Sequence, residues 1–192
     1  MKGLTRRQVL QLGAVAGGSL LLPIAFQHRG YTQNARSPQV TPFSLPFRVP
    51  PQLSPVRSDA TTDYYEIKMQ KAYAEFLPGQ QTEIWGYNGI FPSPTIRQST
   101  GRQSVIRFIN ELDTSTTIHL HGPPSLPQFN GHPEDLIQPG YYKDFNYPNF
   151  AARTAWYHDH TIHKTAYHIY QGLAGMYILV SEEDLNLPLT LG

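Results

Sequence analysis

Apolar and polar positions alternate in part between Tyr64 and Glu75, a stretch rich in β-forming residues with Tyr65, Ile67 and Met69 on one face. Leu77-Pro78-Gly79 then reads as a turn and Thr82–Tyr87 as the returning strand. Asn88-Gly89 and Pro92-Ser93-Pro94 mark the next reversal, followed by short runs at Thr95–Gln98 and Ser104–Asn110. Thr117–His121, Tyr141–Tyr147, Thr154–His158 and Gly175–Val180 complete about eight predicted strands. Only His163–Tyr170 has a helical pattern, and it is short. Many short strands parted by Gly and Pro turns predict an all-β domain over residues 59–192, a β-sandwich or barrel with one short helix.

The chain upstream follows different rules. Residues 31–58 lack periodicity and carry Pro38, Pro42, Pro46, Pro50, Pro51 and Pro55, a spacing that favours extended polyproline conformation. Phe43, Leu45, Phe47, Val49 and Leu53 sit between the prolines, so the expectation is a strap lying across the folded domain rather than a bare linker. Residues 1–30 read as an export signal. Thr5-Arg6-Arg7-Gln8-Val9-Leu10 precedes a mildly apolar run from Leu10 to Phe26 softened by Gly13, Gly17 and Gly18, and this resembles a twin-arginine translocation signal. A membrane span is the competing reading; three glycines and Pro23 weigh against it, although the lack of a clear A-x-A cleavage site leaves an uncleaved anchor open. The expected location is periplasmic, extracellular or at the cell surface. At the other end, Ser181-Glu182-Glu183-Asp184 reads as a polar exit from the domain, and the apolar Leu185–Gly192 as a segment leading toward a further domain.

Charge and size narrow the function. With 192 residues, the chain can build one ordinary core. Five of its 15 basic residues and none of its 14 acidic ones fall in residues 1–36, so the remainder is acidic by four charges and is not a nucleic-acid binder by charge. Cysteine is absent. That removes disulfides, thiolate zinc sites, iron–sulfur clusters and a blue-copper centre, leaving nitrogen and oxygen ligands for any metal held by these residues.

Histidine supplies the candidate chemistry. Thr117-Ile118-His119-Leu120-His121-Gly122 and Trp156-Tyr157-His158-Asp159-His160 each carry a His-x-His pair. On a strand, alternation sends both imidazoles of a pair from one face. If the two strands are neighbours, His119, His121, His158 and His160 converge on a small volume, and neutral imidazole suits copper, zinc, iron and nickel. One such pair alone is weak evidence, because any half-exposed strand can carry it; two in one short chain point to a metal.

The segments from about Pro38 to Leu187 also resemble the first cupredoxin domain of multicopper oxidases, in particular the bilirubin-oxidase and spore-coat-laccase branch. The resemblance is carried by Ile118–Gly122, Pro133-Glu134-Asp135 with Pro139-Gly140, Tyr147-Pro148-Asn149, Ala152–His160 followed by Gly172-Leu173-Ala174-Gly175, and Phe91–Ile96. It implies a Greek-key cupredoxin-like fold, with His119 as a type 2 copper ligand and His121, His158 and His160 as ligands of the type 3 copper pair. In that family the trinuclear cluster lies between the first and last domains, each giving four histidines. By the resemblance this chain supplies half of a site that reduces dioxygen to water while an organic or metal-ion substrate is oxidised. The other half would come from C-terminal domains, a separate chain or self-association, and the chain alone is not expected to be a competent oxidase. One departure concerns protons: the family usually has an acid just before the Gly after the first His pair, and this chain has Asn130 before Gly131, with Glu134 and Asp135 nearby as replacements.

The remaining candidates have plainer readings. His163 is expected at the surface or supporting the site, His132 and His168 on loop and helix surfaces, and His28 in the leader. Asp159 should face away from the metal side and orient a donor, while Trp156 and Tyr157 are core and cavity-wall residues. The alternative function is an exported, non-catalytic copper buffer or carrier. A structural role without copper is a third reading, which the presence of all four histidines disfavours.

Overall fold

The alternation at Tyr65, Ile67 and Met69 is the inner face of a 16-residue strand, β2 (Thr62–Leu77), whose Glu66 and Lys68 face water. In the computed structural model, which describes residues 39–186, β2 serves as the spine of the larger sheet. Its first half pairs in parallel with β5 (Gln103–Asn110), its second half antiparallel with β3 (Gln80–Tyr87), and its start with the short β1 (Arg57–Ser58). The strand β7 (Tyr142–Tyr147) closes that sheet beyond β5. The smaller sheet runs β4 (Ser93–Ser99), β9 (Ala174–Val180), β8 (Arg153–Asp159), β6 (Ile118–His121), with β4 and β9 parallel and the rest antiparallel. These two sheets make the cupredoxin-like β-sandwich.

Aromatic rings fill the space between the sheets. Phe108 of β5 lies 5.7 Å from Tyr87, 5.6 Å from Phe145 and 6.0 Å from Tyr157, and Tyr87 lies 4.8 Å from Tyr157. All four are buried, so the strands of both sheets share one apolar centre. Two of the buried tyrosines have their polar ends satisfied locally, whereas the Tyr87 and Tyr147 hydroxyls have no partner among the described residues. Tyr157 donates to the Pro94 carbonyl at 2.6 Å, and Tyr177 donates to Asn149 Oδ1 at 2.9 Å. At the rim, Arg102 grips Asp63 with two bonds of 2.7 and 2.8 Å, which holds the Asp63 carboxyl well below the usual carboxylate range.

The expected helix is present as α1 (Thr165–Gln171). One further turn, α2 (Glu182–Leu185), follows β9; Ser181 caps it by accepting from the Asp184 N–H while Asp184 accepts from the Ser181 N–H. The proline strap meets β4 where Leu53 N–H donates to the Thr95 carbonyl at 2.8 Å and Thr95 N–H to Pro51 at 2.9 Å, and it meets β2 where Val56 N–H donates to the Tyr64 carbonyl at 2.8 Å and β1 begins. Prolines offer no donor, so the strap can join the sheet only at a residue such as Leu53. Its Phe43, Phe47 and Val49 side chains, expected to lie on the domain, face solvent at 103%, 91% and 75% exposure. The signal reading of residues 1–30, the start of the strap and the apolar tail past Asn186 fall outside the described residues.

Because Phe108 touches rings from both sheets, Phe108→Ala is expected to lower stability by about 3–5 kcal/mol. Urea unfolding monitored by circular dichroism measures this; a loss under about 1 kcal/mol, the range of a surface change, would contradict a shared core.

Candidate metal centre

The pairing of β6 with β8 sets His119 directly opposite His158, with Ile118 opposite Asp159 and His121 opposite Trp156. Cross-strand partners leave the same face, so His119 and His121 join His158 on one side of the smaller sheet. His160 follows the last residue of β8, and its backbone N–H donates to the Thr117 carbonyl at 3.1 Å, which prolongs the strand contact by one step. All four rings are brought together. Their centroids lie 5.4 Å apart for His119 and His121, 5.3 Å for His119 and His158, 5.0 Å for His119 and His160, and 6.0 Å for His158 and His160. His119, His121 and His158 each offer a ring nitrogen within 4.8 Å of the other two.

Three of the rings have their tautomer fixed by the backbone. His119 Nδ1 lies 2.7 Å from the Asn130 carbonyl, His160 Nδ1 3.0 Å from the Gly131 carbonyl, and His158 Nδ1 2.7 Å from the Asp159 carbonyl. A carbonyl oxygen only accepts, so each Nδ1 carries the proton and each Nε2 keeps a free lone pair. That is the form a metal needs. His158 Nε2 is buried without a hydrogen-bond partner, a costly state in protein alone and a suitable one for a ligand atom. A d-block cation that favours nitrogen fits this donor set, copper among them.

The loop that supplies two of the carbonyls is shaped by Gly131. Its φ is +71°, and a Cβ there would stand 2.1 Å from the Ile118 carbonyl oxygen, so only glycine lets the loop lie this close to β6. Trp156 braces the other side: its ring stacks at 4.0 Å on His158 and 5.4 Å on His121. The sequence suggested core and cavity-wall roles for Trp156 and Tyr157 without dividing them; Tyr157 is buried in the core and Trp156 lies half-buried against two of the rings.

Other expectations separate here. His163 and His132 are exposed, and His132 Nδ1 accepts from the Glu134 N–H at 3.3 Å. His168 is not on the helix surface as expected but 1% exposed, with its ring 5.1 Å from that of Trp85. A seven-residue helix has one inner face, and His168 is its only buried residue. The carbonyls of Asn130, Gly131 and Asp159 were not legible as functional groups, because a main-chain acceptor carries no residue signature. The one available hint was a glycine at position 131. Asn130 contributes its carbonyl to His119, whereas Asp135 is paired with Lys143 and Glu134 is exposed.

Burial pushes the rings of His119 and His158 below their ordinary value of 6.5, assisted by the neighbouring imidazoles and opposed by the carbonyls they donate to. The unfolded chain therefore binds protons near pH 6.5 that the folded chain refuses, so stability present above that pH is lost as pH falls through it. Asp63, by contrast, contributes above its ordinary value of 3.8 and is lost only in stronger acid. The metal-free chain should be measurably less stable at about pH 5 than at about pH 7.5, and His158→Gln should flatten that slope. Urea midpoints across this range test it; an unchanged slope in the variant would remove the buried imidazole as the cause.

A model of the multicopper oxidase family matches residues 68–184. The chain is 39% identical over 163 residues to bilirubin oxidase of Albifimbria verrucaria, covering 79% of this chain and 28% of that protein. It is 33% identical over 187 residues to the cell division protein FtsP of Rahnella sp. (strain Y9602), covering 97% of this chain and 36% of that protein. Among solved structures, a laccase from Pediococcus acidilactici superimposes with a TM-score of 0.72 at 30% identity, over 79% of this chain and 33% of that one. The chain thus spans about a third of the length of these relatives. The likeness extends through the strands that carry both His-x-His pairs, and the chain belongs to the multicopper oxidase family.

Proposed function

We propose that this chain forms the first-domain wall of a trinuclear copper centre, with His119 as the type 2 ligand and His121, His158 and His160 as ligands of the type 3 pair. The observation that carries the reading is the fixed tautomer: three Nδ1–H groups held by carbonyls aim free Nε2 lone pairs away from the sheet, and one of these is buried with no other partner. Copper, when bound, supplies the electron chemistry that reduces dioxygen to water at the expense of an organic or metal-ion reductant. The protein's part is to keep the imidazoles neutral and oriented.

Four of the eight histidines in these 192 residues form the ligand set and cysteine is absent, so by themselves they offer half the imidazoles of such a cluster and no thiolate through which electrons enter. Later domains, a separate chain or a second copy would complete it. The twin-arginine-like leader supports export to the periplasm or beyond by a route that carries folded proteins, which suits a metal loaded first.

Copper analysis, calorimetry and dioxygen uptake, on the chain alone and mixed with a polypeptide carrying the last-domain His-Cys-His motifs, test this. Bound copper is expected in both, with uptake only in the mixture. No copper on the wild-type chain would defeat the reading, and copper without uptake in the mixture would favour a buffer or carrier.

Asn130 supports a second prediction. An amide cannot deliver a proton as a carboxylic acid does. In a full-length protein, Asn130→Asp should raise turnover by about tenfold or more, read as the rate of dioxygen consumption. Unchanged turnover would mean that protons arrive by another path.

A further inference from the structure

Asp159 is a fully buried carboxylate that the copper reading leaves without a task. It stands between two proposed ligands but faces the other way. Its Oδ2 accepts from Thr161 Oγ1 at 2.8 Å and from the Thr117 N–H at 3.3 Å, and its Oδ1 accepts from the Thr161 N–H at 2.9 Å. His168 Nδ1 of α1 lies 3.0 Å from the same Oδ1, in contact though misaligned for a good hydrogen bond. Removing a carboxylate from water costs several kcal/mol, so a position that only had to fill space would be better served by an apolar residue.

The location of these contacts suggests what the carboxylate does. The β6–β8 ladder ends at the pair Ile118 and Asp159. One residue further, Thr117 is gripped at both of its main-chain polar groups: its N–H by the Asp159 side chain and its carbonyl by the His160 N–H. The carboxylate therefore extends the ladder past its last pair. Register matters here more than elsewhere, because a one-residue slip of β6 would send His119 and His121 to the opposite face. His168 closes the arrangement from behind, with its own ring seated on Trp85.

Building on the copper reading, we propose that Asp159 and His168 act as a positioning couple, through which α1 holds both His-x-His strands in the register that converges their Nε2 atoms. Neither touches the metal. The couple works from the rear of the sheet, on Thr117 and Thr161, which flank the two pairs.

The test uses the whole chain and two measurements. Backbone amide exchange in the metal-free protein reports the grip directly, and Cu(II) calorimetry with electron paramagnetic resonance reports its effect on the site. Asp159→Asn should accelerate exchange at residues 117–121 and 158–160 while sparing β2 and β5. It should also weaken Cu(II) binding by about 10–100-fold and split the spectrum into several species. His168→Phe, which keeps a ring on Trp85, should move both readouts the same way by less. Thr161→Val removes one donor to the carboxylate and stands in if Asp159→Asn does not fold. Wild-type exchange, affinity and spectrum in the variants would overturn the couple, and so would exchange accelerated evenly over both sheets, which is mere loss of stability. If the wild-type chain bound no copper, the copper reading would fall, and exchange in β6 would still decide whether the couple holds the strands.

Discussion

The site depends on one antiparallel pairing. Four residues of β6 lie against β8, and from that contact alone His119 faces His158 and their neighbours follow on the same side. Hydrogen bonds from three ring nitrogens to carbonyls then set which nitrogen is free. Everything else in the smaller sheet serves this: β9 backs β8, Trp156 presses on two of the rings, and Gly131 lets the carbonyl-bearing loop come within reach. The larger sheet supplies the burial, through Phe108 and its aromatic neighbours, that makes the pairing rigid.

Polar groups inside this sandwich divide into two kinds. The first kind is fully paired, as with Tyr177 and Asn149 or Asp63 and Arg102, and holds loops to strands. The second kind has no hydrogen-bond partner among the described residues; the Tyr87 and Tyr147 hydroxyls, His168 Nδ1 and His158 Nε2 belong to it. His158 differs from the rest in having three further imidazoles, His119, His121 and His160, around its ring. That neighbourhood, more than the missing bond, marks it as one of a ligand set.

Much of this was legible in the sequence for simple reasons. A period of two is plain at Tyr65, Ile67 and Met69, and two His-x-His pairs on β-forming stretches need only adjacency to make a site. β2 extends past both ends of the expected stretch Tyr64–Glu75, and its weak inward and outward contrast at Ala72–Phe76 falls where it leaves one partner and takes up another. The burial of His168 was hidden because Trp85, which covers its ring, is remote in sequence. The strap is divided in a way composition does not reveal: Leu53 packs on the core and its N–H meets β4, the Val56 N–H meets β2, and Phe43 and Phe47 remain in water. Main-chain carbonyls that steer three rings were beyond any residue pattern.

Parallel pairing of β2 with β5 and of β4 with β9 bears on the order of assembly. Such contacts join distant parts of the chain, as when Ile96 of β4 pairs with Tyr177 of β9, and distant contacts form slowly because long loops must close first. The two histidine strands are themselves separated by β7, so their pairing also waits on the closure of a long loop. Until that ladder forms, the four imidazoles are scattered along the chain and make no ligand set.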